Sequence, residues 1–177
     1  GCGGENKKSE KISLIQLTEL GWDLFETTNY DSSLIVFTDA ILDYPSENLS
    51  EVYSGRGWCY AYLGNYTDAL NDIASAGSPN LDALAGSCFA YLALNDYNNA
   101  AVSGNSLIAA NSSYIFSHDN TITSSDVRLA IAQAYFFLGN YANVILQLDV
   151  LAPGHGLTAN SSSSAILAQL MVLDQIN

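Results

Sequence analysis

Positive charge is scarce in this sequence. Lys and Arg together number 5 against 18 Asp and Glu, a formal net charge of −13. Three of the five cations, Lys7, Lys8 and Lys11, fall within the first dozen residues, so from residue 12 onward only Arg56 and Arg128 remain. A surface that negative repels phosphate backbones and argues against nucleic-acid binding. Long apolar runs are missing as well. Stretches such as residues 144–151 are too short and too interrupted to cross a bilayer. Hydrophobic residues nevertheless make up 49% and charged ones only 13%, a balance that excludes a disordered chain. A length of 177 residues is enough for one domain with a sizeable core.

Motifs that carry chemistry are also lacking. There is no CxxC, HExxH, GxSxG or phosphate-cradling glycine loop. The only histidines are His118 and His155, in segments with no evident reason to adjoin, so no metal site is expected. Ser117-His118-Asp119 holds the residue types of a catalytic triad, but three consecutive loop residues do not present their side chains to one reacting atom. The carboxylates read as solvated faces and helix N-termini, where negative charge is favourable. No catalytic residue, cofactor or enzymatic activity is expected. Cys59 and Cys88 lie within apolar helical patterns and read as small buried hydrophobes, although an oxidising compartment would permit a disulfide between them.

The remaining cysteine, Cys2, stands in Gly1-Cys2-Gly3-Gly4-Glu5-Asn6-Lys7-Lys8. No apolar periodicity begins before Ile12, so residues 1–12 read as a flexible tether and 13–177 as the folded domain. A Cys at the start of such a tether resembles a mature bacterial lipoprotein, in which that Cys is acylated. The resemblance implies lipidation at Cys2, an extracytoplasmic location and membrane contact only through the lipid. Gly3, where an Asp often signals inner-membrane retention, favours the outer membrane.

What the sequence has in abundance is repetition. Leu63-Gly64-Asn65-Tyr66-Thr67-Asp68-Ala69, Leu94-Asn95-Asp96-Tyr97-Asn98-Asn99-Ala100 and Leu138-Gly139-Asn140-Tyr141-Ala142-Asn143-Val144 share one phrase, and Thr28-Asn29-Tyr30-Asp31-Ser32-Ser33 is a weaker copy. The phrase describes a helix hairpin. Leu closes one helix, Gly or Asn takes the left-handed conformation, Asn or Asp starts the next helix, and Tyr packs in the corner. A small residue three positions after the Tyr lets the two helices approach.

These phrases resemble the tetratricopeptide repeat, a helix–turn–helix unit of about 34 residues. Residues 14–47 match it most fully, through Leu20, Gly21, Leu24, Ser33, Phe37, Ala40 and Pro45. Residues 50–83 match through Gly57, Tyr60, Ala69, Ile73 and Ala76. Residues 81–114 match through Cys88, Tyr91 and Ala100, but carry Gly104 where an aromatic is expected. Residues 125–158 match through Ala132, Tyr135, Leu148 and Leu151, with Val144 in place of the small residue. The corner tyrosines are 36, 31 and 44 residues apart, so the second repeat is cut short near Pro79. The long interval holds an insertion at about 113–124, expected to swing one half of the array relative to the other. Ile166, Leu167, Leu170, Val172 and Leu173 have helical spacing and suit a helix that covers the last repeat. The expected fold is all-α: a right-handed α-solenoid of about four hairpins plus a C-terminal capping helix, nine helices in all, with no sheet.

The resemblance also assigns a concave groove, lined by the first helix of each repeat. Its expected residues are Trp22, Phe25, Trp58, Tyr62, Phe89, Gln133, Phe136 and Phe137. A contiguous apolar strip of this kind marks a binding surface, and aromatics dominate interface hot spots. The expected function is a non-catalytic scaffold that takes a protein or peptide partner there, as a peptide or helix. Two alternatives stay open: capture of a sugar or apolar small molecule, and a structural homo-oligomer with the groove filled by the protein itself, as in a homodimer. None of the inward positions is basic, which disfavours a carboxylate-led ligand. Glu26, Glu51, Asp82 and Asp126 on the rim suit basic flanks instead. Arg56 and Arg128 are expected to form partly buried structural pairs with carboxylates or to cap backbone carbonyls.

Overall fold

Every copy of the corner phrase ends one helix and starts another. The computed structural model describes residues 11–77 and 80–175, and nine α-helices make up these described residues: α1 (Leu14–Glu26), α2 (Tyr30–Asp43), α3 (Ser50–Tyr62), α4 (Tyr66–Ala76), α5 (Leu81–Ala93), α6 (Tyr97–Ala110), α7 (Ser124–Phe137), α8 (Tyr141–Leu151) and α9 (Ser163–Asp174). The positive-φ position of the four corners is filled by Thr28, Gly64, Asn95 and Gly139. Glycine and asparagine adopt this conformation readily; the β-branched Thr28 does so under strain. Each corner closes with the same backbone bond, as in Asn65 N to Tyr60 O at 2.8 Å and Asn140 N to Tyr135 O at 2.9 Å.

Hairpins α1–α2, α3–α4, α5–α6 and α7–α8 stack in chain order, and each odd helix also touches the next odd helix. The residues three positions after the corner tyrosines, small in the first three repeats, sit where the helices cross. Ser33, Ala69, Ala100 and Val144 are all 0% exposed, and Ser33 Oγ donates to the Gly21 carbonyl at 2.7 Å. Phe37 fills the joint between the first two repeats. A Cβ on Gly21 would come within 2.5 Å of its ring, and one on Gly55 would strike the ring from the α3 side. At Gly104, which lacks the expected aromatic, Ile131 of α7 and the Cys88 thiol occupy the space. Helix α4 stops at Ala76, and Gly77 turns the chain with φ +76°; Ser78 and Pro79, to which the sequence assigned the break, lie outside the described residues.

Helix α9 buries Ile166, Leu170 and Leu173 against Leu129, Val144 and Leu148, covering the last hairpin as expected. Its other side leaves Leu167, Met171 and Val172 exposed. No helix among the described residues is long and apolar enough to cross a membrane. Cys59 and Cys88 are buried free thiols, with Cys59 Sγ 3.1 Å from Ser33 Oγ. Cys2 and most of the tether lie outside the described residues.

Both arginines are tied down. Arg56 forms a two-point pair with Asp72, Nε to Oδ2 at 2.6 Å and Nη2 to Oδ1 at 2.8 Å, and Nη1 reaches Thr38 Oγ1 at 3.3 Å. Arg128 bonds to the Gln147 side-chain oxygen at 3.0 Å, an amide where a carboxylate or a backbone carbonyl was expected.

Candidate functional site

The insertion between α6 and α7 does not act as a hinge. It runs back into the concave face and covers part of it, over Trp22, Phe25 and Trp58. Tyr114 and Phe116 are buried while Ile115 and Ser117 are exposed, the alternation of an extended strap with one side inward. Backbone bonds close the strap on itself: Ser124 N to Tyr114 O at 2.7 Å and Phe116 N to Ile122 O at 2.9 Å. A capping box then launches α7, with Thr123 and Asp126 each bonding the other's end of the turn.

Phe116 is the centre of the seat. Its ring stacks on Trp58 at 4.4 Å and 17°, and meets Trp22 and Phe25 edge-on at 6.1 and 5.9 Å. His118 lies flat on Trp22 at 3.6 Å and 2°, with Nδ1 2.8 Å from Glu26 Oε1. Tyr114 donates to Asp82 Oδ1 at 2.7 Å, and Trp58 Nε1 donates to the Asp82 carbonyl at 3.0 Å. Tyr62 donates to Asp119 Oδ2 at 2.5 Å. Burial first, and the neighbouring carboxylates second, push the Tyr62 and Tyr114 hydroxyls well above the usual phenol range. Burial alone would raise Asp119, but bonds from Thr121 and Tyr62 outweigh it and hold that carboxyl below its ordinary value.

The predicted groove residues are therefore not one open strip. Trp22, Phe25 and Trp58 are 6%, 2% and 2% exposed, because the strap covers them. Phe89 is half-buried beside Trp58, with centroids 6.3 Å apart. Phe136 and Phe137 stand apart from this cluster, with Phe136 against the corner Tyr141 and Phe137 stacked on the corner Tyr97 at 4.7 Å. Gln133 donates to Asp174 of α9 at 3.1 Å, so the chain's own end reaches the fourth repeat. Two of the rim carboxylates, Glu26 and Asp82, are engaged by the strap. The covering of these residues has a simple cause. An aromatic strip on an acidic chain is a costly surface to leave wet, and the insertion is long enough to cover it.

Sequence reasoning missed Tyr114, Phe116, His118, Asp119 and Ile122 as groove residues. One signal was present, the Thr123/Asp126 capping box that fixes where the strap must end; the inward–outward alternation is hidden because Tyr114, Ile115 and Phe116 are all apolar. Ser117-His118-Asp119 is indeed dispersed, His118 going to Glu26 and Asp119 to Tyr62 and Thr121.

Beside the strap a depression of about 340 Å³ stays open. Its walls are Trp58, Ala61, Tyr62, Tyr66, Phe89 and Ala90, with Thr121, Ile122 and Asp126 contributed by the strap and the start of α7. It is mostly apolar, and its volume is at the small end of ligand sites. No group of three or more His, Cys, Asp or Glu side chains able to hold a metal occurs among the described residues.

Four stacked hairpins, small residues at three of the four crossings and left-handed corners before each second helix decide the fold. It is the tetratricopeptide-repeat fold. The chain superposes on a tetratricopeptide repeat protein from Parabacteroides merdae with a TM-score of 0.63 at 18% identity, covering 96% of this chain and 62% of that one. It matches TTC0263, a thermophilic repeat protein of Thermus thermophilus, with a TM-score of 0.59 at 19% identity, over 90% of this chain and 82% of that one. MamA MSR-1 gives a TM-score of 0.68 at 15% identity, over 94% of this chain and 99% of that one. This chain thus spans less than two thirds of the length of the Parabacteroides protein. No family model and no curated protein matches the sequence.

Proposed function

We propose that this protein is a non-catalytic scaffold that holds another polypeptide on the part of its concave face that the strap leaves open. The observation that carries the reading is the aromatic depression bordered by Tyr62, Tyr66, Phe89 and Ile122. Much of the remaining aromatic face is covered from within, so on that face an incoming segment finds apolar area to bury here and around Phe137, which is 59% exposed. The strap also forms one wall of the depression, and so shapes the site that it narrows. The small, charged sequence around Cys2 supports an extracytoplasmic lipid tether for this scaffold, a separate proposal that intact-mass analysis of membrane-extracted protein would test.

Site-specific photocrosslinking in the native cell tests partner binding. A benzophenone side chain at Tyr66 should yield discrete protein adducts, and the same group at Ile35, an exposed position on α2 remote from the depression, should not. Equal labelling from both positions, or none from Tyr66, would overturn the reading.

A further inference from the structure

The depression has a charge preference as well as an apolar lining. Its only ionic group is Asp126. Asp126 Oδ2 accepts from both the backbone N and the hydroxyl of Thr123, at 2.7 and 2.8 Å, while Oδ1 has no protein donor among the described residues. Tyr62, Tyr66 and Phe89 line the same depression. The Tyr62 hydroxyl donates to Asp119, which enriches its ring in electron density. An electron-rich aromatic wall beside a carboxylate is complementary to a cation carried on an apolar stem. Among the described residues no cation lines it, Lys11 lying instead at Asp43. Arg56 is held by Asp72 and Arg128 by Gln147, and neither lines the depression. The whole-chain charge of −13 adds long-range attraction for a basic partner.

We infer that the depression receives the arginine side chain of a basic partner segment, its stem against Phe89 and Tyr66 and its guanidinium at Asp126 Oδ1. This rests on the scaffold reading and names the chemistry of the partner. It also reverses the familiar arrangement in which basic groove residues clamp a ligand carboxylate.

The test uses the full chain and three matched, end-blocked hexapeptides, Ala-Leu-Xaa-Leu-Xaa-Ala, with arginine, its neutral isostere citrulline, or glutamate at Xaa. Binding is followed by amide and indole NMR shifts at Trp58, Ala61, Ala90 and Ile122. The arginine peptide should bind at least about fivefold more tightly than the citrulline peptide, the scale of a modest cation–π and carboxylate contact. Asp126→Asn, which keeps an acceptor oxygen for Thr123 and so keeps the helix cap, should bring the arginine peptide down to the citrulline level. Asp126→Glu should restore part of the difference. If the citrulline or glutamate peptide shifts these resonances as strongly as the arginine peptide, the cation assignment falls and the partner pocket stands. If no peptide shifts them, both fall.

Discussion

Phe116→Ala is the perturbation that the strap geometry makes most informative. The side chain is 0% exposed and touches Trp58, Trp22 and Phe25 at once. Truncating a buried Phe costs about 3–5 kcal/mol, the lost transfer energy plus the cavity left behind. Relaxation should be limited, because the strap is pinned on both sides by the Tyr114–Asp82 and Tyr62–Asp119 bonds. The expected loss is therefore about 4 kcal/mol, a large share of the ~5–15 kcal/mol that holds a typical domain together. The control is Ile115→Ala one residue away. Ile115 is 59% exposed, so its truncation should cost less than about 1 kcal/mol. Urea unfolding followed by circular dichroism reads both variants without relying on the tryptophans that Phe116 touches. A Phe116→Ala midpoint no lower than that of Ile115→Ala would mean that the strap is not seated in the groove, and the reasoning would fail.

The Arg56–Asp72 pair makes a second prediction. Arg56→Met should destabilise by about 2–3 kcal/mol by leaving Asp72, whose side chain is 8% exposed, without its partner. That is below the ~3–5 kcal/mol of a fully enclosed pair, because Arg56 keeps 18% of its side chain in water. The double variant Arg56→Met/Asp72→Leu should recover most of the loss in thermal unfolding, and a double variant as unstable as the single would contradict the pairing. The buried thiols set an alkaline limit. Burial raises Cys59 to about 11 and Cys88 to about 12, from 9.0. The unfolded chain therefore releases these protons first, so stability is fully present below about pH 9 and declines as pH rises toward 11 and beyond. The raised phenols of Tyr62 and Tyr114 add to the decline above their ordinary value of 10.0. Urea midpoints measured from pH 8 to 11 should stay level and then fall; a flat profile throughout would contradict the buried-thiol account.

How far the fold could be read from the residues depends on the range of the interactions. The corners were legible because the phrase from Leu63 to Ala69 and its copies fix local geometry: a left-handed residue, a capping Asn or Asp and a small residue at the crossing. The occupant of the groove was not, because nothing local says that His118 meets Glu26, 92 residues earlier. The insertion is one of several candidates for filling the groove, beside the last helix and a second copy of the chain, and nothing local in its sequence selects it. Tyr114, Ile115 and Phe116 are apolar in a row, so the strap shows no period-2 pattern in the sequence beside four registered repeats. Gly104 shows the same limit. The missing aromatic of the third repeat is replaced by Ile131 from the fourth, a compensation between helices that no single repeat reveals.

The central claim, that the chain's own strap covers the tryptophan-bearing part of the concave face, is tested most directly through the two tryptophans. Trp22 and Trp58 are the only ones in the chain, both lie under the strap, and they are 6% and 2% exposed. Intrinsic fluorescence of the monomer with acrylamide as quencher reports on both. The account predicts blue-shifted emission and weak quenching that become red-shifted and strong only on unfolding. Red-shifted emission with ready quenching in the folded monomer would show an open groove and contradict it.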